Sequence, residues 1–76
     1  ERSVDAGERF VQDFNQKCLY LTKFPYIGRS YEALAPRLRG IPLCNYVILY
    51  KVIDEGVVIV RVVSGYRNLE SIFEQP

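Results

Sequence analysis

Residues 45–68 read NYVILYKVIDEGVVIVRVVSGYRN. Two segments in this stretch, Tyr46 to Ile53 and Val57 to Val63, are rich in the β-branched and aromatic residues that favour strands. Between them, Asp54-Glu55-Gly56 has the composition of a tight turn in which glycine supplies a positive φ. The stretch therefore predicts a β-hairpin followed by a loop. Because neighbouring residues in both strands are apolar, we expect both sheet faces to be covered.

The N-terminal part of the chain has the periodicity of an amphipathic helix. Apolar residues recur at spacings of three and four and predict a helix from about Val4 to Lys23, which ends before Pro25. The residues expected on its sheet-facing side are Phe10, Val11, Phe14, Cys18 and Leu21. Phe24 is also expected in the core, since large aromatic side chains dominate the cores of small domains.

The segments on either side of the hairpin are shorter. Tyr26 to Pro36 is predicted to be a loop with Gly28 as a turn residue, and Pro36 to Leu43 alternates in the manner of a strand. Pro42 cannot donate a ladder hydrogen bond, so it indicates an edge or bulge position. A short helix is expected from Leu69 to Glu74, after Asn68. The predicted fold is α+β, a helix on a three-stranded antiparallel sheet with a short C-terminal helix.

Length and composition restrict the function. Residues 1–76 are expected to form a single domain, and no apolar run is long enough to span a membrane. The net charge of +1 is too small for nucleic-acid binding by bulk electrostatics. Residues 29–51 nevertheless contain four basic residues and a single acidic one, Glu32. The basic side chains either form a local basic surface or are simply solvated at strand and loop ends. They are Arg29, Arg37, Arg39 and Lys51.

Histidine is absent and only two cysteines, Cys18 and Cys44, are present. A zinc site is therefore not expected, and neither is the commonest general base near neutral pH. We expect no metal and no cofactor. Two cysteines do not make a disulfide framework, so we expect free thiols and a cytoplasmic location.

Four motifs in order resemble the ParE branch of the RelE/ParE toxin superfamily, which is known for plasmid stabilisation. They are Leu21 to Arg29, which ends in Gly-Arg, Leu38 to Leu43, Asn45-Tyr46 with its strand, and Arg61 to Arg67, which ends in Gly-Tyr-Arg. Two features depart from the family pattern. Asn68 stands where an aspartate is usual, and the strand and long helix that normally precede the first helix are not in this sequence. Loss of that strand would leave a sheet edge open.

The resemblance leaves three functions to compare. Nuclease members of the superfamily cut mRNA on the ribosome with basic residues and a C-terminal tyrosine; at the corresponding positions this chain has Val47 and Phe73, and only Arg67 remains. Members like ParE inhibit DNA gyrase by binding and need no catalytic group. A truncated relative without toxicity is the third alternative. We expect no catalytic residue and favour the binding mode.

The resemblance also implies where this chain would act. The expected target-binding residues are Arg67, Tyr66 and Arg61, and the expected basic surface is Arg29, Arg39 and Lys51. The expected partners are a cognate antitoxin, DNA gyrase and, because the strands are strongly apolar, further copies of the same chain. No direct contact with nucleic acid is expected.

Overall fold

The computed structural model describes the backbone of residues 2–65 and the side chains of residues 7–65. Within residues 2–65 the chain forms one helix, α1 (Arg2–Lys23), followed by four strands, β1 (Arg29–Ser30), β2 (Leu38–Leu43), β3 (Tyr46–Ile53) and β4 (Gly56–Ser64). The strands form one antiparallel sheet in the order β1-β2-β3-β4. The predicted α+β class is confirmed, with a fourth, very short strand in the segment predicted to be a loop. The predicted helix from Leu69 to Glu74 lies outside the described residues.

Two short turns set the register of the central strands. Asp54 and Glu55 join β3 to β4, and Gly56 has a φ of 146°, as the turn composition predicted. Cys44 and Asn45 join β2 to β3, and Cys44 has a φ of 56°, which a residue with a side chain rarely adopts. The Gly65 N–H donates to the Asn45 carbonyl at 2.7 Å, so the end of β4 is bonded back to this turn.

A bulge in β4 decides which residues face α1. Leu49 pairs with Arg61 and Tyr50 pairs with Ile59, so Val60 is an extra residue in β4. Because side chains alternate along a strand, the bulge exchanges the two faces of β4 at this point. Val57 and Ile59 consequently pack on the α1 side, whereas Val63 packs on the opposite side.

Helix α1 covers the first face of the sheet. Leu21 is fully buried in a cluster with Ile41, Leu43, Ile48 and Tyr50. Phe10 and Phe14 are half-buried beside this cluster, and the Phe10 ring meets the Tyr46 ring edge-on at 5.5 Å. We refer to this side as the helix face.

Residues 31–35 cover part of the other side, which we refer to as the second face. Leu38, Leu49 and Val63 are buried there, with Tyr31 and Leu34 packed against them. The segment folds back as a turn in which the Leu34 and Ala35 N–H groups both donate to the Tyr31 carbonyl. The expectation that both faces are covered is confirmed for this part of the sheet.

Two predictions about the helix side were wrong. Val11 is 55% exposed and Phe24 is 52% exposed. Phe10, Phe14 and Leu21, which were predicted on the same side, do pack on the core. Phe24 follows the last residue of α1, and its ring packs on Tyr20, on the exposed side of the helix, at 5.0 Å.

β4 forms one edge of the sheet within the described residues. Its exposed apolar side chains are Val58, Val60 and Val62. At the opposite side of the sheet, β1 pairs only with Arg39 and Gly40, so β2 is unpaired on that side at Pro42. The position predicted for Pro42 is confirmed, since a proline is tolerated where no ladder donor is needed.

The division of α1 into a buried and an exposed side can be tested with two identical substitutions. Leu21→Ala should lower the free energy of unfolding by about 2–5 kcal/mol, because it leaves a cavity in the cluster under the helix. Leu19→Ala should change it by less than about 0.5 kcal/mol, since Leu19 is 65% exposed. Urea denaturation of both variants measures the difference. Equal effects would contradict the orientation of the helix.

Candidate functional site

The loop between α1 and β1 is bonded to the centre of the sheet by one buried hydroxyl. Tyr50 is fully buried on β3, and its Oη donates to the Pro25 carbonyl at 2.7 Å. The same Oη accepts from the Gly28 N–H at 3.0 Å. A buried hydroxyl needs such partners, because leaving it unpaired is costly. The loop over residues 25–28 is therefore bonded to Tyr50, the β3 residue at which the bulge in β4 shifts the register.

Glycine is required at position 28 because the loop backbone passes very close to Tyr50 and Gly40, and not because of a turn. A Cβ at Gly28 would lie 2.5 Å from Tyr50 Oη and 2.9 Å from the Gly40 carbonyl oxygen. Both distances are shorter than van der Waals contact allows, so only glycine fits. The sequence interpretation identified Gly28 as special but assigned the wrong reason.

Arg39 fixes the outer side of the same loop. Its Nη1 donates to the Gly28 carbonyl at 2.7 Å and to the Tyr26 carbonyl at 3.1 Å. Its guanidinium lies 5.1 Å from the centre of the Tyr26 ring, a cation–π arrangement. Arg39 was predicted as part of a basic surface, and the structure gives it a bracing role in addition.

Three of the predicted cations share the second face. In the register, Arg29 opposes Gly40, Lys51 opposes Leu38 and Arg61 opposes Leu49, and directly opposed residues point to the same side. Arg29 and Arg61 are exposed and Lys51 is half-buried. Arg29 lies over the Tyr31 ring, with its guanidinium carbon 5.3 Å from the ring centre. The second face thus combines an apolar cluster with a basic margin.

The remaining predicted site residues, Tyr66 and Arg67, lie outside the described residues. Arg39 is separated from the other cations because it lies on the helix face. It is two residues before Ile41 on β2, and side chains two apart on a strand share a face. Val47, the residue examined for nuclease chemistry, is half-buried against the apolar cluster of the second face. Tyr50, whose hydroxyl bonds the loop to the sheet, was not among the site residues predicted from the sequence.

The thiols and acidic groups show no arrangement for metal binding. Cys18 and Cys44 are both free, as expected, and burial raises the pKa of the Cys18 thiol above its ordinary value. Within residues 7–65, no group of three or more cysteine, aspartate or glutamate side chains could hold a metal ion. No helix in the described part of the chain is long and apolar enough to cross a membrane.

The comparison with known families extends over almost all of this structure. The family model described as ParE toxin of type II toxin-antitoxin system, parDE, matches residues 1–69. The chain belongs to the ParE toxin family. The resemblance identified from the four motifs is therefore correct at the level of the ParE branch.

A curated member of the ParE family matches over a shorter region. Toxin ParE3 of Caulobacter vibrioides is 39% identical to the chain over 49 residues. The aligned region is 64% of this chain and 49% of that protein. The chain therefore spans about half the length of this ParE relative.

The bond between the loop and the sheet can be tested by removing one hydroxyl. Tyr50→Phe should lower the free energy of unfolding by about 1–3 kcal/mol, because it leaves the Gly28 N–H and the Pro25 carbonyl without their partner. Tyr46→Phe is the matched control, since Tyr46 is 44% exposed, and it should be nearly neutral. Thermal unfolding of both variants measures the two effects. A neutral Tyr50→Phe would contradict the assigned role.

Proposed function

We propose that this chain is a toxin of a type II toxin–antitoxin system that acts in the cytoplasm by binding and inhibiting its target. By family resemblance that target is DNA gyrase, and a cognate antitoxin neutralises the toxin. Membership of the ParE toxin family supports the proposal. The similarity to ParE3 supports the proposal for the 49 aligned residues. The free thiols are consistent with a reducing compartment.

Val47 is the observation that favours target binding over mRNA cleavage as the mode of action. Nuclease members of the superfamily place an arginine after the tyrosine that opens this strand, where it can stabilise charge on the phosphate. Val47 is apolar and packs beside Leu38, Leu49 and Val63. A phosphoryl-transfer site at this point would lack its cation and would be lined by aliphatic side chains. A surface that works by contact has no such requirement.

The second face is the surface that we assign to target binding. Its apolar cluster is bordered by Arg29, Lys51 and Arg61, and Arg61 is exposed. Since Leu38, Leu49 and Val63 are already buried within the chain, the contact surface that we propose consists of the cations at the margin of this cluster. Arginine is enriched in protein–protein interfaces. Arg67 and Tyr66 follow β4 directly in the sequence and are proposed to extend this surface.

Expression in a bacterial cell tests the function. The chain alone should arrest growth with DNA damage and filamentation, and co-expression of the neighbouring gene should relieve the arrest, while mRNA stays intact. Arg67→Ala should abolish the arrest without changing the thermal midpoint, and Arg9→Ala on α1 is the control. Codon-specific mRNA cleavage would assign the chain to the nuclease branch. Absence of any arrest would assign it to truncated, non-toxic relatives.

Among the described residues β4 forms an edge of the sheet, which supports a further partner, a second copy of this chain. β4 has nine residues and exposes three valines, and edge strands of this composition tend to acquire a neighbour. Sedimentation of the purified chain at micromolar concentration should give a dimer or larger species. Val60→Arg, at the bulge, should shift the population towards monomer. A single monomeric species in the wild-type sample would contradict self-association.

A further inference from the structure

A small cavity with polar and apolar walls lies where the loop after α1 meets the start of β2. Its volume is about 200 Å³, room for about six water molecules at ~30 Å³ each and therefore for one side chain. The lining residues that carry chemistry are Tyr26, Ser30, Glu32, Arg37 and Arg39, and Leu38 and Val52 provide apolar walls. Leu38 also belongs to the apolar cluster of the second face, so the cavity adjoins the surface that we assign to target binding.

The donors in this cavity are held in place before any ligand arrives. Arg39 is fixed through Nη1 by the Tyr26 and Gly28 carbonyls and by the Tyr26 ring, which leaves its other N–H groups without an acceptor among residues 7–65. Ser30 Oγ accepts from the Glu32 N–H at 3.3 Å, and its own proton remains available for donation. A fixed guanidinium loses less conformational entropy when it binds an anion.

Arg37 adds a second guanidinium at the same place. Its backbone has a φ of 63°, and its N–H donates to Glu32 Oε1 at 3.0 Å. Its exposed guanidinium has no hydrogen-bond or ion-pair partner in the part of the chain whose side chains are described. The backbone of Arg37 therefore performs the structural role, and its side chain is free to contact a ligand.

The charge of the lining selects the ligand. Two arginines and one glutamate give a formal charge of +1, which one carboxylate neutralises and a phosphate dianion exceeds. Exposed apolar side chains continue from the cavity along the loop, since Tyr26 is 65% exposed and Ile27 is 51% exposed. The combination fits a protein segment with an acidic residue next to an apolar one.

We propose that the cavity between Arg37 and Arg39 receives an aspartate or glutamate side chain of the antitoxin, with a neighbouring apolar side chain of the antitoxin against Tyr26 and Ile27. The inference rests on the proposed function, because the partner is the protein that neutralises this toxin. It places antitoxin recognition at the β1–β2 end of the sheet, where the cavity adjoins the second face at Leu38.

Affinity for the purified product of the neighbouring gene tests this inference. Arg37→Glu should raise Kd by at least about tenfold, because the new carboxylate would repel the antitoxin carboxylate in the cavity. Arg9→Glu makes the same change in net charge on the exposed side of α1 and should leave Kd within about threefold. Arg37→Ala removes the guanidinium without placing a carboxylate beside Glu32, so it should keep the wild-type thermal midpoint and still weaken binding. Replacing the contacting acidic residue of the antitoxin by arginine should restore binding to Arg37→Glu.

Each other outcome overturns the inference in a distinguishable way. An unchanged Kd for Arg37→Glu, or an equal loss in Arg9→Glu, rejects the cavity and leaves the proposed function standing. Absence of binding by the wild-type chain rejects the proposed function and the cavity together. Binding of a short DNA duplex that Arg37→Glu abolishes would assign the cavity to a phosphate and reject the carboxylate.

Discussion

The hydroxyl of Tyr50 is the only part of that fully buried side chain that can hydrogen-bond, and both of its bonds go to the loop between α1 and β1. An unpaired hydroxyl at this depth would cost a substantial fraction of the stability of a small domain. The loop must therefore approach the sheet closely enough to bond, which only Gly28 permits. Once the loop is there, Arg39 can reach two of its carbonyls, and the short strand β1 can pair with β2.

The bulge in β4 changes which residues of this strand face each side of the sheet. It directs Val57 and Ile59 to the helix face and Arg61 and Val63 to the second face. Arg61 thereby joins Arg29 and Lys51 on the second face, whereas the helix face is occupied mainly by core packing. The cavity lined by Arg37 and Arg39 lies at the β1–β2 end of the sheet, where Arg39 and Val52 belong to the helix face and Leu38 to the second face. The proposals assign target binding to the second face and antitoxin recognition to this adjoining end of the sheet.

Local patterns in the sequence were sufficient for the elements that depend on neighbours along the chain. The helix, the hairpin and the positive φ of Gly56 follow from periodicity and turn composition, and the family followed from motif order. The failures depend on distant contacts. Periodicity placed the adjacent Phe10 and Val11 on the same side of the helix, whereas Phe10 packs on the core and Val11 is exposed. The same limit applies to the site, because an arginine that bonds loop carbonyls cannot be distinguished by sequence from one on an open surface, as Arg39 illustrates. The basic residues were found, but not their distribution over two faces, which depends on register and on the bulge.

Hydrogen exchange at the Gly28 amide tests the central claim most directly. This N–H has no ladder partner and is protected only through Tyr50 Oη. In the wild-type chain it should exchange as slowly as amides of the β3 ladder, and in Tyr50→Phe it should exchange like an open loop amide while the β3 amides keep most of their protection. Rapid exchange at Gly28 in the wild-type chain would contradict the account, because the loop would then not be held by the buried hydroxyl.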